Sequence, residues 1–299
     1  MNPKFWSDLG RPPPDSITPL DGGRGMTATL SLVRWHAPAA TAVLKVSTQV
    51  GRASHELEFF RSATDIPDIP RFYGGQVLDD QVAILLEDLT HATPGDILVG
   101  ATAAQARSVA HALGRLHARY WGAPPAGLAP VAPRAISGLP AAVAAFVDLA
   151  HASPAQRRAV GDLSDRLPDA RARLAAAPAT LQHADAHLDN WMFGPEPILI
   201  DWQTARVGPG AVDLVRVLLE GVPTDVRRAH HDALVAAWCE PLPAGYDPHL
   251  DLQAALVTSL AALIPHQVAV DREALSPRMR RVFDLCAAQA LALAEDLLG

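Results

Sequence analysis

The sequence predicts an α+β chain of two lobes, a small antiparallel-sheet N-terminal lobe and a mainly helical C-terminal lobe. Three observations carry that expectation. Residues 27–35, TATLSLVRW, alternate apolar and polar with period two, and VLKV at 43–46 follows the turn-like HAPAA; such alternation marks strands with one buried face. From Thr102 the period changes, and Val109, Leu113, Leu116 and Tyr120 recur every three to four residues, which is one face of a helix. Beyond Ala211 the apolar spacing stays helical to the last residue.

Taken in order, Pro12 to Pro14 close a short irregular leader, and strand-like pattern runs from Ile17 to Val46. Residues 53–64 read as a short helix with Leu57, Phe59 and Phe60 on its apolar side. GGQVLDDQVAILLEDL supplies two more strands around an Asp79-Asp80 turn. About five strands and one helix thus form a lobe that closes near Leu89, giving lobes of 1–89 and 90–299. Thr102 and Gln105 have the spacing of a capping box at the start of helix 102–121, in which each side chain satisfies an orphan N–H of the other. Residues 122–140, with five prolines and three glycines, read as a loop, and two or three Ala-rich helices fill 141–177. A hairpin follows: TLQH, the loop ADAHLDN, then NWMF and ILID around the turn at 194–197.

Composition narrows the classes. The chain has 299 residues, 49% hydrophobic and 19% charged, enough apolar content for a sizeable core. A net charge of −7 and a pI near 5.9 argue against a nucleic-acid or anionic-membrane partner. Cys239 and Cys286 form neither a disulfide framework nor a metal motif. The first residues lack the apolar core of a signal peptide, and Asp284 and Glu295 interrupt the apolar C-terminal run. A cytoplasmic chain without a membrane span, monomeric by default, is expected.

The chemistry is concentrated in His183-Ala-Asp-Ala-His-Leu-Asp-Asn190, Ile198-Leu-Ile-Asp201 and Val43-Leu-Lys45-Val. Phosphoryl transfer from ATP requires a carboxylate at the attacking hydroxyl, oxygen ligands for Mg²⁺ and a cation for the phosphates that stay behind. Asp185 suits the first role. Asn190 and Asp201 suit the second, because a hairpin would bring them together. Lys45, inside an apolar strand, suits the third, and burying it unpaired would be costly. Glu56 on the next helix is its natural partner.

These residues, with HELEFF at 55–60, LLEDL at 85–89, ALGRLHARYW at 112–121, HADAHLDNWMF at 183–193 and LIDWQTARVGPGAVDLV at 199–215, resemble a known family. It is the aminoglycoside phosphotransferase, choline kinase and ecdysteroid-kinase-like family of the protein-kinase-like superfamily, and the motifs stand in the family's order across almost the whole chain. The resemblance implies a bilobal protein-kinase-like fold and an ATP-using (GTP being the other candidate), Mg²⁺-dependent kinase that phosphorylates a hydroxyl of an antibiotic or metabolite. It makes Asp185 the catalytic base, Asn190 and Asp201 the metal ligands, Lys45 the contact to the α- and β-phosphates, and Glu56 the residue that positions Lys45. Backbone from Glu87 to Leu89 becomes the hinge that pairs with adenine, and Asp213 a buttress of the catalytic loop. Two departures stand out: Ala184 occupies a position where relatives usually carry Gly, and the segment Asp21 to Thr27 is not G-x-G-x-x-G, although Gly25 and the Thr27 hydroxyl are placed to meet phosphate. Only eleven residues separate Asp201 from Asp213, too few for the activation loop of a protein kinase, which favours a small acceptor.

Other readings stay beside this one. An alcohol kinase of primary metabolism acting on choline, an amino sugar or a sterol shares the motifs. A nucleotide-binding pseudokinase would have lost some of Lys45, Asp185, Asn190 and Asp201, which are all present. Alternation of His183, Asp185, His187 and Asp189 invites a zinc-hydrolase reading, but the pattern is not H-x-H-x-D-H. His183 and Asp189 read as loop braces, His187 as structural or near the substrate, His117 as a packing histidine, and Trp191 and Trp202 as core. Glu220, Asp225, Asp247 and Asp251 read as exposed helix-end charges outside the site.

Overall fold

The computed structural model describes residues 3–20, 28–62, 66–130 and 136–299. The chain divides into two compact units, one of Met1–Pro94, Ala126–Leu128 and Asn190–Ala205, the other of Gly95–Pro125, Ala129–Asp189 and Arg206–Gly299.

The first unit begins with helix α1 (Pro3–Asp8) and strands β1 (Ser16–Pro19), β2 (Ala28–His36) and β3 (Ala39–Ser47). Helix α2 (Val50–Ser62) and strands β4 (Phe72–Val77) and β5 (Val82–Leu86) follow. The strands form one antiparallel sheet of order β1-β2-β3-β5-β4. Lys45 on β3 pairs with Leu30 on one side and Ile84 on the other, so the charged side chain is fixed in the middle of the sheet. The leader is not irregular: α1 buries Phe5 and Trp6 against Trp35 and Leu85, with Trp6 and Trp35 edge to face at 5.8 Å. Burying two large aromatic side chains is worth about 1.5–3 kcal/mol each, sufficient to hold a helix too short to persist alone.

Strand β6 (Thr93–Pro94) pairs with β8 (Trp191–Phe193), which in turn pairs with β9 (Pro197–Leu199). That pairing draws Asn190–Ala205 into the first unit. Trp202 completes the attachment by stacking on Phe59 of α2, 4.2 Å between centroids and 4° between planes.

The second unit is mainly helical. It contains α3 (Ala103–Arg119), α4 (Leu139–Leu149), α5 (Pro154–Gly161), α6 (Leu163–Ala176), α7 (Ala211–Glu220), α8 (Thr224–Cys239), α9 (His249–Ala269) and α10 (Pro277–Leu298). Strands β7 (Ala179–Gln182) and β10 (Arg206–Pro209) pair antiparallel within it. The Thr102–Gln105 capping box forms at the start of α3. By length and composition α9 is apolar enough to cross a membrane, a helix the sequence reading passed over. It packs against α4, α6 and α7 as a core helix, and its first turn carries Asp251, buried between Arg173 Nε at 2.6 Å and the Tyr246 hydroxyl at 2.7 Å. Asp251 is therefore an internal ion-pair member and not the exposed helix-end charge expected of it.

Candidate active site

In the first unit, β3, α2 and the segment after β9 deliver three charged side chains to one point. Lys45 Nζ donates to Glu56 Oε1 at 2.9 Å and lies 2.8 Å from Oε2. It also donates to Asp201 Oδ1 at 2.6 Å. Glu56 is 1% exposed, and its Oε1 accepts the Trp202 N–H at 3.3 Å. Burial disfavours the Lys45 ammonium, but attraction to the two carboxylates outweighs it and raises the pKa. Burial is also the largest influence on Glu56 and, with Asp201 nearby, lifts that carboxyl above its usual range despite Lys45. The triad carries one positive charge against two negative ones.

Asn190 ends a 3-10 turn (Leu188–Asn190) and leads into β8. Ile200 N–H donates to the Asn190 carbonyl at 2.9 Å, so the β8–β9 hairpin sets Asn190 across from the residue before Asp201. Asp201 has a left-handed backbone, φ 67°, which Asp tolerates better than most residues, and its Oδ2 accepts from the Gln203 amide at 3.1 Å. A carboxylate and a side-chain amide oxygen form a hard-oxygen donor set of the kind Mg²⁺ prefers. The negative excess of the triad is of the matching sign, so the residues present fit that ion.

Glu87 and Leu89 lie just past β5. The Glu87 N–H donates to the Arg71 carbonyl at 2.9 Å, and Ala92 N–H donates to the Leu89 carbonyl at 2.9 Å. Gly25 and Thr27, expected to meet phosphate, lie outside the described residues.

Asp185 belongs to the second unit. Its Oδ1 accepts from Arg216 Nη2 at 3.0 Å, and its Oδ2 lies 3.5 Å from His187 Nε2. Burial disfavours its charge, yet the His187 hydrogen bond and the charges of His187 and Arg216 hold the carboxyl well below the usual range. Correspondingly, His187 is raised: burial opposes its proton and Asp185 more than compensates. The backbone beneath is gripped by Asp213, which is fully buried and accepts the N–H groups of His183 and Ala184, each at 2.8 Å. His117 Nε2 lies 3.3 Å from Asp213, and Trp238 Nε1–H donates to His117 Nδ1 at 2.9 Å, an order that makes Nε2 the protonated nitrogen. Asp189 is likewise a brace, accepting from Ile97 N–H at 2.7 Å and Arg278 Nη2 at 3.0 Å. Among the described residues no three His, Cys, Asp or Glu side chains gather as a metal site, so the alternating His183 to Asp189 run does not converge on one point.

Two residues escaped the sequence reading. Arg216 touches Asp185 directly, and Glu220, expected to be an exposed helix end, is 6% exposed and bonded to Arg216 Nη1 at 2.9 Å. The one signal for them was spacing: Arg216 stands three residues after Asp213, and Glu220 four after Arg216.

A family model described as the phosphotransferase enzyme family, APH, matches residues 28–250. The chain belongs to the phosphotransferase enzyme family. No curated protein matches its sequence, but solved structures share its fold. The microcompartment-associated aminopropanol kinase is 16% identical with a TM-score of 0.58, over 94% of this chain and 91% of that one. Spectinomycin phosphotransferase, solved with ADP and spectinomycin, is 15% identical with a TM-score of 0.53, over 95% and 94%. The choline kinase LicA of Streptococcus pneumoniae is 14% identical with a TM-score of 0.53, over 93% of each chain. The chain therefore has the kinase-like fold the motifs implied, and by its family it is an enzyme, a phosphotransferase.

Proposed function

We propose that this phosphotransferase moves the γ-phosphoryl group of ATP to a hydroxyl of a small molecule, an antibiotic or a metabolite, with Mg²⁺ as the required ion. The observation that carries the reading is the Lys45–Glu56–Asp201 triad, a part-buried cation shared by two carboxylates and short of one positive charge. Asn190 and Asp201 would hold Mg²⁺, which when bound supplies charge neutralisation to the phosphates. Lys45, kept extended by Glu56, contacts the phosphates that remain on the nucleotide. With the Glu87 N–H engaged on Arg71, adenine is left to the Glu87 carbonyl and the Leu89 N–H. The ADP complex of spectinomycin phosphotransferase supports nucleotide use.

Asp185 accepts a hydrogen bond from the attacking hydroxyl. The hydroxyl oxygen bonds to the γ-phosphorus as the bond to the β–γ bridging oxygen breaks, ADP leaves with that electron pair, and the proton passes to Asp185 and on to solvent. Arg216 and His187 keep Asp185 ionised, so it orients early and takes the proton late, which suits a loose transition state in which little proton transfer is needed before the bond to the leaving group lengthens.

Calorimetry with ATP and a non-hydrolysable analogue, with and without Mg²⁺, tests this on wild type and Asp201→Ala. Magnesium-dependent binding that weakens at least about tenfold in the variant is expected; wild type that binds neither nucleotide would sink the reading. Once binding is established, an acceptor screen runs from antibiotics to amino alcohols such as choline and aminopropanol.

A further inference from the structure

We propose that Arg216 is a positioning residue for Asp185: braced by Glu220, its guanidinium sets the direction in which Asp185 presents its oxygens to the phosphoryl acceptor. The inference deepens the proposed function and rests on its assignment of Asp185.

Arg216 is bound at both ends of its fork. Nη2 donates to Asp185 Oδ1 at 3.0 Å and Nη1 to Glu220 Oε1 at 2.9 Å. Arg216 and Glu220 lie one turn apart on α7, and the first turn of the same helix carries Asp213, which accepts the backbone N–H groups of His183 and Ala184. One helix therefore holds the loop twice, at its backbone through Asp213 and at its working side chain through Arg216. A planar guanidinium bonded at two nitrogens fixes both distance and angle, which the point charge of a lysine does not.

Stability alone gives little reason for this pair. Arg216 is about a third exposed, beside a buried Glu220 and the apolar Leu214, Val217, Leu218 and Leu219 of α7, and an ion pair that water reaches contributes little to stability. What an apolar pair would not supply is a fixed Asp185. The surroundings are consistent with that division of labour. His187 faces Oδ2, the His183 ring accepts the Asp185 N–H at 3.3 Å, and Arg206 on β10 adds a further positive charge. Cys286 stands behind Arg216 and Glu220, with burial, then Glu220, pushing its thiol up to about 12, so it brings no competing anion.

The test follows two readouts in full-length wild type, Arg216→Gln, Arg216→Lys and Glu220→Gln: the Asp185 ¹³Cγ titration by NMR, and ATP hydrolysis with water as acceptor. In Arg216→Gln the Asp185 midpoint should rise by at least about one unit, a tenfold change in proton affinity. Its turnover should fall about tenfold or more while KM for ATP stays within about twofold. Arg216→Lys should restore most of the titration and little of the turnover, because it returns the charge without the fork. Lysine restoring both would overturn the positioning role, as would wild-type turnover in folded Arg216→Gln. If Arg216→Gln does not fold, Glu220→Gln decides: a loss of about threefold in turnover with an unmoved titration is expected, and wild-type turnover refutes the proposal. Failure of wild type to bind or turn over ATP would instead strike the phosphotransfer reading, and the NMR titration would still report whether Arg216 governs Asp185.

Discussion

The two units hold their acids in opposite electrostatic settings. In the first, one lysine is shared by two carboxylates, and Glu56 is almost wholly buried beside it. In the second, the carboxylate of Asp185 sits among cations, with Arg216 at 3.0 Å and His187 at 3.5 Å. The first arrangement is short of positive charge and suits the arrival of a metal ion with phosphates. The second is already balanced, so its remaining task is geometric. A charge deficit attracts a ligand, whereas a charge balance holds a side chain still. Substitutions in the two regions should therefore fail in different ways.

Removing the carboxylate of the balanced region should give the largest effect. Asp185→Ala is expected to lower kcat with an accepted alcohol by about 10³-fold, the range associated with a lost general base. ATP affinity by calorimetry should stay within about twofold, because Lys45, Glu56 and Asp201 are untouched. Near-normal turnover would erase the distinction between the regions.

Removing the cation of the deficient region should be felt in stability. Lys45→Met leaves Glu56 buried without its ammonium partner, a loss of about 3 kcal/mol in urea unfolding. The pH dependence has a definite sign. Glu56 has a folded-state pKa raised mainly by burial, so the folded chain binds its proton more readily than the unfolded chain, and this contribution to stability falls as pH rises. Loss of Lys45 raises that pKa further. The deficit of the variant should thus be greatest above the raised folded-state value and shrink as pH falls toward the ordinary carboxylate range. A deficit that does not change with pH would show that packing, not charge, is what Lys45 contributes.

The same contrast explains what could be read from sequence. Lys45 is conspicuous as a charge inside an apolar strand, and Asp185, Asn190 and Asp201 stand at fixed spacings in a short segment. Local pattern was enough to pair Lys45 with Glu56 and to bring Asn190 and Asp201 together, because strand, helix and hairpin are each legible over a dozen residues, whereas the contact of Lys45 with Asp201 joins positions too far apart to leave such a trace. Arg216 was not legible: an arginine on an amphipathic helix reads as a solvated face, and its partner Glu220 stands at the helix end where exposed charges are common. Asp251 was missed for the same reason. The boundary set at residue 89 gave no hint that Asn190–Ala205 joins the first unit, since that depends on β6, two residues long, meeting β8 about a hundred positions later. Pairing at such separation leaves no periodic trace. In α1 the signal was only Phe5 and Trp6, and a helix of six residues is too short to show a period.

The smallest expected effect concerns the loop that Asp213 grips. Ala184 adopts φ 66°, a left-handed conformation that costs a residue with a Cβ about 1–2 kcal/mol. Glycine adopts that conformation without the cost of a Cβ. Here the two hydrogen bonds from His183 and Ala184 to Asp213 hold the strained turn in place. Ala184→Gly should relieve the strain but add freedom to the unfolded chain, for a net gain of about 0.5–1 kcal/mol in unfolding free energy. ATP affinity should not change. If thermal or urea unfolding instead showed a loss, the alanine methyl would be contributing packing to the loop, and the loop's rigidity would come from more than the grip of α7.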